Sequence, residues 1–168
     1  MKSLIKISLA LAFSIIGVYL GNKIAGKLKE KRNKELNYSS LSIKEIDIIT
    51  TNQALKQKKS IFALFHPSCD FCQADAEQFL DAKNLLKDLE VLWVSYDNKD
   101  SIRKFSIDYG LDTLPNMHFA YMDIEAMLER YGNVKFPTFL AYDNEGQLIE
   151  KFVGLTKPEE ILKVYQMD

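Results

Sequence analysis

Hydrophobic residues cluster along the chain in short runs that predict β-strands. The run at residues 60–65 is continuous, long enough for a buried strand and too short for a helix, and His66-Pro67 ends it. Four more strands are predicted at residues 91–96, 117–121, 138–142 and 148–153. The turn Asp143-Asn-Glu-Gly146 makes the last two a β-hairpin. A short strand at 43–49 and a short helix at 52–58 are predicted before them.

Helical periodicity fills the segments between these strands. A helix is predicted over residues 69–89, with an apolar face of Phe71, Ala74, Phe79, Leu80, Leu85, Leu86 and Leu89. A second helix follows Asp97-Asn98 and stops at Gly110, and Asp123 caps a third. Thr156-Lys-Pro-Glu159 matches a capping box that opens the last helix. Because strands joined by helical crossovers are parallel, the pattern predicts an α/β fold with a mixed central sheet covered by helices on both faces.

The first part of the chain has a different character. Lys2 and Lys6 precede an uncharged, largely apolar run at residues 7–21, which is typical of a signal sequence or a short membrane anchor. No convincing A-x-A cleavage site follows the run. We therefore expect an uncleaved membrane anchor at residues 1–21, with a cleaved signal and a buried soluble helix as the alternatives. Residues 22–41 predict a lysine-rich helical stalk, and residues 42–168 the folded domain.

The charges around the anchor conflict about its orientation. Six basic residues follow the apolar run: Lys23, Lys27, Lys29, Lys31, Arg32 and Lys34. By the positive-inside rule they would keep the domain in the cytoplasm. The weaker amino-terminal cluster, and the orientation typical of a signal-like start, favour an exported domain instead.

Composition excludes several classes of protein. The 22 basic and 23 acidic residues leave a net charge of −1, so nothing indicates a nucleic-acid partner. The chain of 168 residues suits one domain with a short appendage. It has only two cysteines, three positions apart, whereas a small secreted protein held by disulfides needs more of them, spread further along the chain.

Those two cysteines carry the chemistry that the sequence predicts. Cys69-Asp-Phe-Cys72 follows a buried strand and opens a helix, a spacing that puts both sulfurs on one helical turn and within bonding distance. Cys69 lies at the exposed helix terminus, where unpaired amides and the helix dipole stabilise thiolate over thiol. We therefore expect Cys69 to be the nucleophile and Cys72 the resolving thiol of disulfide exchange.

A metal site is the main alternative for the pair. A structural zinc needs four protein ligands, and only His66 and His118 are present to supply nitrogen. A copper-handling site that uses the two cysteines and a histidine stays open at this point, as does an inert buried pair. The prediction is no bound metal.

The motifs together resemble the thioredoxin superfamily. The strand with His66-Pro-Ser-Cys-Asp-Phe-Cys72, and the later stretch Lys135-Phe-Pro-Thr-Phe-Leu followed by Asp143-Asn-Glu-Gly146, occur in the order and spacing of that family. The resemblance is nearest to its membrane-anchored, extracytoplasmic TlpA-like branch, and it covers the chain from about residue 42 to the end. It implies a thioredoxin fold and thiol:disulfide oxidoreductase activity without a cofactor other than the Cys69–Cys72 disulfide.

The same resemblance implies further site residues and partners. Pro137 would be the cis-proline that lies against the cysteines, and the backbone of Phe136 would bind an extended substrate segment. Residues around the cysteines would contact the substrate: Pro67, Ser68, Asp70 and Phe71. The expected partners are protein thiols or disulfides and an upstream thiol electron donor, on the periplasmic side of a membrane that the anchor binds.

This sequence also departs from the thioredoxin pattern. Ser68 replaces the usual tryptophan, and Ala63 replaces the buried acid that accepts a proton in thioredoxin. Asp75, one helical turn beyond Cys72, is the best candidate for that role, with a solvated helix acid as the alternative. The charge of Asp70 opposes a thiolate at Cys69 and so favours a reductase over an oxidase. A protonated His66 near Cys69 would act in the opposite direction, unless it is only a residue at the end of the strand.

The sequence therefore predicts an enzyme that exchanges disulfides with protein substrates. Two other readings remain at this stage. One is a copper metallochaperone that uses Cys69, Cys72 and a histidine, with His118 as the histidine to test. The other is a non-catalytic module that binds a partner in the thioredoxin groove.

Overall fold

The chain divides into two compact units, residues 1–35 and residues 36–168. The computed structural model describes residues 17, 19–24, 26, 47–48 and 58–166. The described residues of the first unit are helical. No helix within the described ranges combines the length and the apolar character needed to cross a membrane. Most of the expected anchor and stalk lies outside these ranges, as do the predicted boundary at residues 41–42 and the predicted helix at 52–58, apart from Lys58.

A mixed sheet of six strands forms the centre of the second unit, as far as the structure describes it. The strands are β1 (Asp47–Ile48), β2 (Ser60–Leu64), β3 (Glu90–Ser95), β4 (Met117–Tyr121), β5 (Thr138–Tyr142) and β6 (Leu148–Val153). Their spatial order is β1-β4-β3-β2-β5-β6. Strands β2, β3 and β4 are parallel, while β5 runs antiparallel to both β2 and β6. The predicted mixed sheet and the terminal hairpin are confirmed.

Three of the described helices connect strands, and a fourth follows β6, in the order that the periodicity predicts. They are α1 (Asp70–Asp81), α2 (Lys99–Asp108), α3 (Ile124–Tyr131) and the short α4 (Pro158–Leu162). The side chain of Asn98 accepts the Ser101 amide at the start of α2. Asp123 accepts the amides of Glu125 and Ala126 at the start of α3, so the predicted cap is confirmed.

Each face of the sheet is buried against helices. On one face the side chains of Ala63 and Trp93 pack with residues of α1, α2 and α4. On the other face, Phe62 and Leu92 pack with Met127 and Tyr131 of α3. Burial on both faces explains why the central strands are continuous apolar runs rather than alternating ones.

The helix that follows Cys69 is shorter than predicted. It ends at Asp81, and residues 82–89 form turns that still bring Leu86 and Leu89 into the core. The side-chain amide of Asn116 donates to the carbonyl oxygens of Leu86 and Leu89, at 2.8 and 2.9 Å. The side chain of a distant asparagine therefore supplies hydrogen bonds to the carbonyls of these turns, in addition to the bonds from their own backbone amides.

The apolar face predicted for this helix is also partly wrong. Phe71 is 61% exposed and Ala74 is only half-buried. The buried positions of α1 are instead Cys72, Asp75, Ala76 and Phe79. These follow the spacing i, i+3, i+4, i+7 of a single helical stripe, so one position of the buried face holds an acid.

Candidate functional site

The site lies where β2 passes into α1, at the carboxyl end of the central strands. Cys69 has an extended backbone and is the N-cap residue of α1. Its amide donates to the carbonyl oxygen of His66, and its own carbonyl accepts the amide of Gln73, each at 3.0 Å. The side-chain amide of Gln73 donates to the Pro67 carbonyl at 3.0 Å. These bonds fix the turn that presents Cys69 at the helix terminus.

The two cysteines differ in their environments as the sequence predicts. Both are free thiols, and Cys69 is half-buried whereas Cys72 is fully buried. Burial raises the pKa of Cys72 far above its ordinary value, and interactions with Cys69 and Asp75 raise it further. A backbone hydrogen bond from His66 acts in the opposite direction on the same sulfur. Cys72 is therefore a neutral thiol that needs a proton acceptor before it can attack.

The Phe136–Pro137 loop lies directly against Cys69. The peptide bond between Phe136 and Pro137 is cis, and Pro137 is buried. The Cys69 thiol points at the carbonyl oxygen of Phe136, with 3.9 Å between Sγ and the oxygen. The carbonyl of Pro137 accepts the amide of Gly154 at 2.8 Å, which ties the loop to the end of β6. Two segments separated by 67 positions in the chain thus meet at the reactive sulfur.

Asp75 is buried beneath the cysteine pair. Its side chain has no exposed surface, and its Oδ1 accepts the backbone amide of Thr156 at 3.2 Å. Its Oδ2 is buried and has no hydrogen-bond partner among the described residues. Burial raises the pKa of Asp75 to about 7, and the bond from Thr156 only partly offsets that effect. The reading of Asp75 as a solvated helix acid is therefore wrong.

Thr156 belongs to the site, although its sequence context predicts a different role. The N-cap of α4 is Lys157, which makes no side-chain cap, so the predicted capping box is absent. The hydroxyl of Thr156 donates to the carbonyl of Gly154 at 2.8 Å, and its amide binds Asp75. No local signal marks this role, because its partner lies 81 residues earlier in the chain. The available signal is Asp75 itself: an acid on the buried face of α1 needs a hydrogen-bond donor from elsewhere in the fold.

His66 is part of the turn, and its ring contacts Ser68, Asp97 and two aromatic rings. Its Nδ1 accepts the amide of Ser68 at 3.2 Å. Its Nε2 lies 3.9 Å from a carboxylate oxygen of Asp97, at the end of β3. The ring also contacts the rings of Tyr96 and Phe136, with centroids 5.4 and 6.4 Å away.

Among the residues predicted to contact substrate, three surround Cys69 on the surface. Ser68, Asp70 and Phe71 are exposed, and Pro67 is half-buried. Phe71, whose side chain is 61% exposed, places a large apolar group beside the buried Cys72. Surface around the reactive sulfur is thus available to a partner.

His118, the histidine of the copper alternative, lies elsewhere. It is buried in β4, opposite Leu92 of the neighbouring strand, on the face of the sheet remote from Cys72. Its Nε2 lies 2.6 Å from Glu90. Burial alone would raise the pKa of Glu90, but the hydrogen bonds from Lys58 and His118 lower it.

In the part of the chain that the structure describes, no three histidine, cysteine or acidic side chains come close enough to hold a metal ion.

Several solved structures share this fold. A secreted Mycobacterium tuberculosis disulfide oxidoreductase homologous to E. coli DsbE is 17% identical, with a TM-score of 0.54 over 67% of this chain and 84% of that chain. StoA from Bacillus subtilis is 14% identical, with a TM-score of 0.55 over 71% of this chain and 96% of its own. The exposed lipoprotein thioredoxin Etrx1 from Streptococcus pneumoniae is 23% identical, with a TM-score of 0.53 over 68% and 87%.

Sequence comparison identifies the family more directly. No curated protein matches the chain significantly. The family described as a thioredoxin-like domain matches residues 49–167, which covers all of α1 to α4 and the Phe136–Pro137 loop. The chain therefore belongs to the thioredoxin-like domain family, as its sequence motifs predict.

Proposed function

We propose that this protein is a thiol:disulfide oxidoreductase that exchanges disulfides with protein substrates through Cys69 and Cys72. One observation carries the proposal: an accessible cysteine at a helix terminus faces the carbonyl before a cis-proline, while a second cysteine is buried below it beside a carboxyl of raised pKa. This arrangement fits disulfide exchange, in which an accessible thiolate attacks first and a shielded thiol resolves the mixed disulfide.

The first half of the reaction uses Cys69. Its thiolate attacks one sulfur of a substrate disulfide, the substrate S–S bond breaks, and the other substrate sulfur leaves as a thiolate. The product is a mixed disulfide between Cys69 and the substrate. The backbone of Phe136 and the exposed side chain of Phe71 lie where an extended substrate segment would contact the protein.

The second half uses Cys72 and Asp75. Because Cys72 is a neutral thiol, the ionised carboxylate of Asp75 takes its proton, and the resulting thiolate attacks Cys69 Sγ. The mixed disulfide breaks, the second substrate thiolate is released, and Cys69–Cys72 becomes a disulfide. Two electrons have passed to the substrate, so an upstream thiol donor must reduce the pair for the next cycle.

We propose that the protein works as a reductase rather than an oxidase. Thiol oxidants are strong when their reduced, thiolate form is stabilised. Here an exposed carboxylate at Asp70 directly follows Cys69, and the ring nitrogen Nε2 of His66 lies 3.9 Å from the carboxylate of Asp97. Neither feature stabilises a negative charge on Cys69.

We propose that the domain acts outside the cytoplasmic membrane and is tethered by the apolar run at residues 7–21. Support comes from that run and from two proteins of similar fold, one of them described as secreted and the other as an exposed lipoprotein. The basic residues after the run favour the opposite orientation. Fusion of alkaline phosphatase to the carboxyl end decides between an exported and a cytoplasmic domain, because that reporter is active only outside the cytoplasm.

Trapping tests the proposed activity. A Cys72→Ala variant expressed in the native host cannot resolve its mixed disulfides, so exported thiol proteins are expected to remain attached to Cys69. A Cys69→Ala/Cys72→Ala double variant is the control and is expected to retain none. Equal recovery from both variants, or no attached protein on Cys72→Ala, would overturn the proposal.

A further inference from the structure

His66 accepts hydrogen bonds from two backbone amides of the turn that leads into α1. Its carbonyl oxygen accepts the amide of Cys69 at 3.0 Å. Its ring nitrogen Nδ1 accepts the amide of Ser68 at 3.2 Å. The backbone amides of Ser68 and Cys69, which lead into α1, therefore both donate to His66.

The Ser68 bond determines which nitrogen of the ring carries the proton. An amide N–H can donate only to a ring nitrogen with a free lone pair, so Nδ1 is unprotonated in this arrangement. In the neutral ring the proton is then on Nε2, the nitrogen that faces Asp97. The rings of Tyr96 and Phe136 pack against the same imidazole and hold its plane.

The direction of the Cys69 side chain depends on this turn. Cys69 makes no side-chain cap on α1, and its sulfur is directed at the carbonyl of Phe136 instead. The direction of Cβ follows from the backbone angles of Cys69, which are φ −89° and ψ 116°. Both the amide of Cys69 and that of the preceding residue are fixed by His66, so the histidine constrains those angles.

We propose that His66 is a positioning residue for disulfide exchange: through Nδ1 and its carbonyl it holds the Pro67–Ser68–Cys69 turn that directs Cys69 Sγ towards the backbone of Phe136. The inference rests on the proposed function, because it concerns the attack by Cys69. It assigns His66 no proton transfer and no contact with the substrate.

Three substitutions of His66 separate this role from packing. Asparagine keeps an acceptor, because its Oδ1 binds the amide two residues later in the same geometry, but it removes the ring. Phenylalanine keeps an aromatic ring and removes the acceptor, and alanine removes both. A fourth variant, Asp97→Asn, leaves the Ser68 bond in place and removes only the charge that faces Nε2.

The readout is the second-order rate constant for reduction of hydroxyethyl disulfide. This small neutral disulfide has no polypeptide segment that could contact the surface around the site. We expect His66→Phe and His66→Ala to lower it about threefold to tenfold, the factor that one net hydrogen bond is worth. His66→Asn and Asp97→Asn are expected to stay within about twofold of the wild type, because one hydrogen bond of normal strength remains in each. If His66→Phe reacts as fast as the wild type and His66→Asn reacts slowly, packing of the ring and not the hydrogen bond to Ser68 positions Cys69, and the inference is overturned. A slow Asp97→Asn variant would mean that a histidine–aspartate pair acts instead.

Side-chain ¹⁵N spectra of the full-length wild type test the geometry without any activity. The chain has two histidines, and the His66→Asn spectrum assigns the signals. We expect the His66 ring to carry its proton on Nε2 and the Ser68 amide signal to move in the Phe variant. A proton on Nδ1 at neutral pH would overturn the inference. If the wild type reduces no disulfide faster than Cys69→Ala does, the proposed function fails, whereas the tautomer and the Ser68 bond are still decided by the spectra.

Discussion

One oxygen of the buried Asp75 carboxyl accepts the backbone amide of Thr156. The other oxygen has no hydrogen-bond partner among the described residues. A buried carboxyl in this state is more easily kept neutral than charged, which is why its pKa rises to about 7. A pKa near neutrality lets it exchange protons at neutral pH, and in the proposed mechanism the neighbouring thiol of Cys72 is the group that loses one.

Replacement of Asp75 by asparagine is expected to slow resolution of the mixed disulfide. The amide oxygen keeps the Thr156 bond, but no group remains to take the proton of Cys72. We expect the mixed disulfide to persist about a hundredfold longer, near the low end of what a positioned general base contributes. Acid-quenched samples analysed by mass spectrometry measure its decay. Asp81→Asn on the exposed side of the same helix is the matched control, and equal lifetimes in the two variants would exclude this role for Asp75.

The resolving step is also expected to depend on pH. Only the ionised carboxylate accepts a proton, and the pKa of Asp75 is about 7. The rate of the step in the wild type should therefore rise with pH around a midpoint near 7 and level off above it. In Asp75→Asn this limb disappears. A limb that survives in the variant would assign the titration to another group.

Stability is expected to fall as the pH rises towards neutrality. The folded protein holds the proton of Asp75 more tightly than the unfolded chain does, so deprotonation costs stability between about pH 4 and about pH 7. The loss is complete above the folded pKa and amounts to roughly 2–4 kcal/mol. Guanidinium unfolding of the reduced protein at pH 5 and pH 8 measures it. We expect Asp75→Asn to lack this difference, and a wild type whose relative stability does not fall would contradict the prediction.

Alkylation is expected to distinguish the two thiols. Cys69 is half-buried at the helix terminus, whereas Cys72 has no exposed surface and a pKa raised far above its ordinary value by burial. Brief treatment of the folded, reduced protein with iodoacetamide at pH 7 should therefore modify Cys69 alone. Peptide mass spectrometry locates the label. Equal labelling of both thiols would remove the asymmetry on which the mechanism depends.

Substitution of Phe71 is expected to weaken the recognition of protein substrates without affecting the fold. Its side chain is 61% exposed, so Phe71→Ser should change stability by no more than about 0.5 kcal/mol. We expect a higher KM for a folded protein disulfide and an unchanged rate with hydroxyethyl disulfide. Leu85→Ser is a matched control, because Leu85 is 56% exposed and lies in the turns beyond α1. An equal change in both variants would indicate a nonspecific loss of apolar surface.

Local patterns were sufficient to predict the strands and most helix starts. Strands β2 and β3 are buried on both faces, so a continuous run of apolar residues is enough to predict each of them. Asp123 caps α3 through bonds to residues two and three positions away, which sequence reasoning can see. The cysteine pair was located in the same way, because its spacing and the preceding strand are both local.

The features that sequence reasoning missed depend on distant partners. The helix after Cys69 ends at Asp81, and the turns that follow are held by Asn116, which is 30 and 27 residues from the two carbonyls that it binds. Thr156 reads as a helix cap but gives its amide to Asp75 on another helix. The position of Pro137 beside Cys69 was expected only through the family resemblance, since 67 residues separate the two contacting segments.

The segment directly after β6 makes two contacts with the site within three residues. Gly154 donates its amide to Pro137, and Thr156 donates its amide to Asp75, so the main chain on both sides of Leu155 is committed to opposite halves of the site. The side chain of Leu155 is 52% exposed. The exposed side chain at position 155 can therefore be exchanged without breaking either main-chain bond, whereas insertion or deletion of a residue there would disturb the proline loop and the buried acid together.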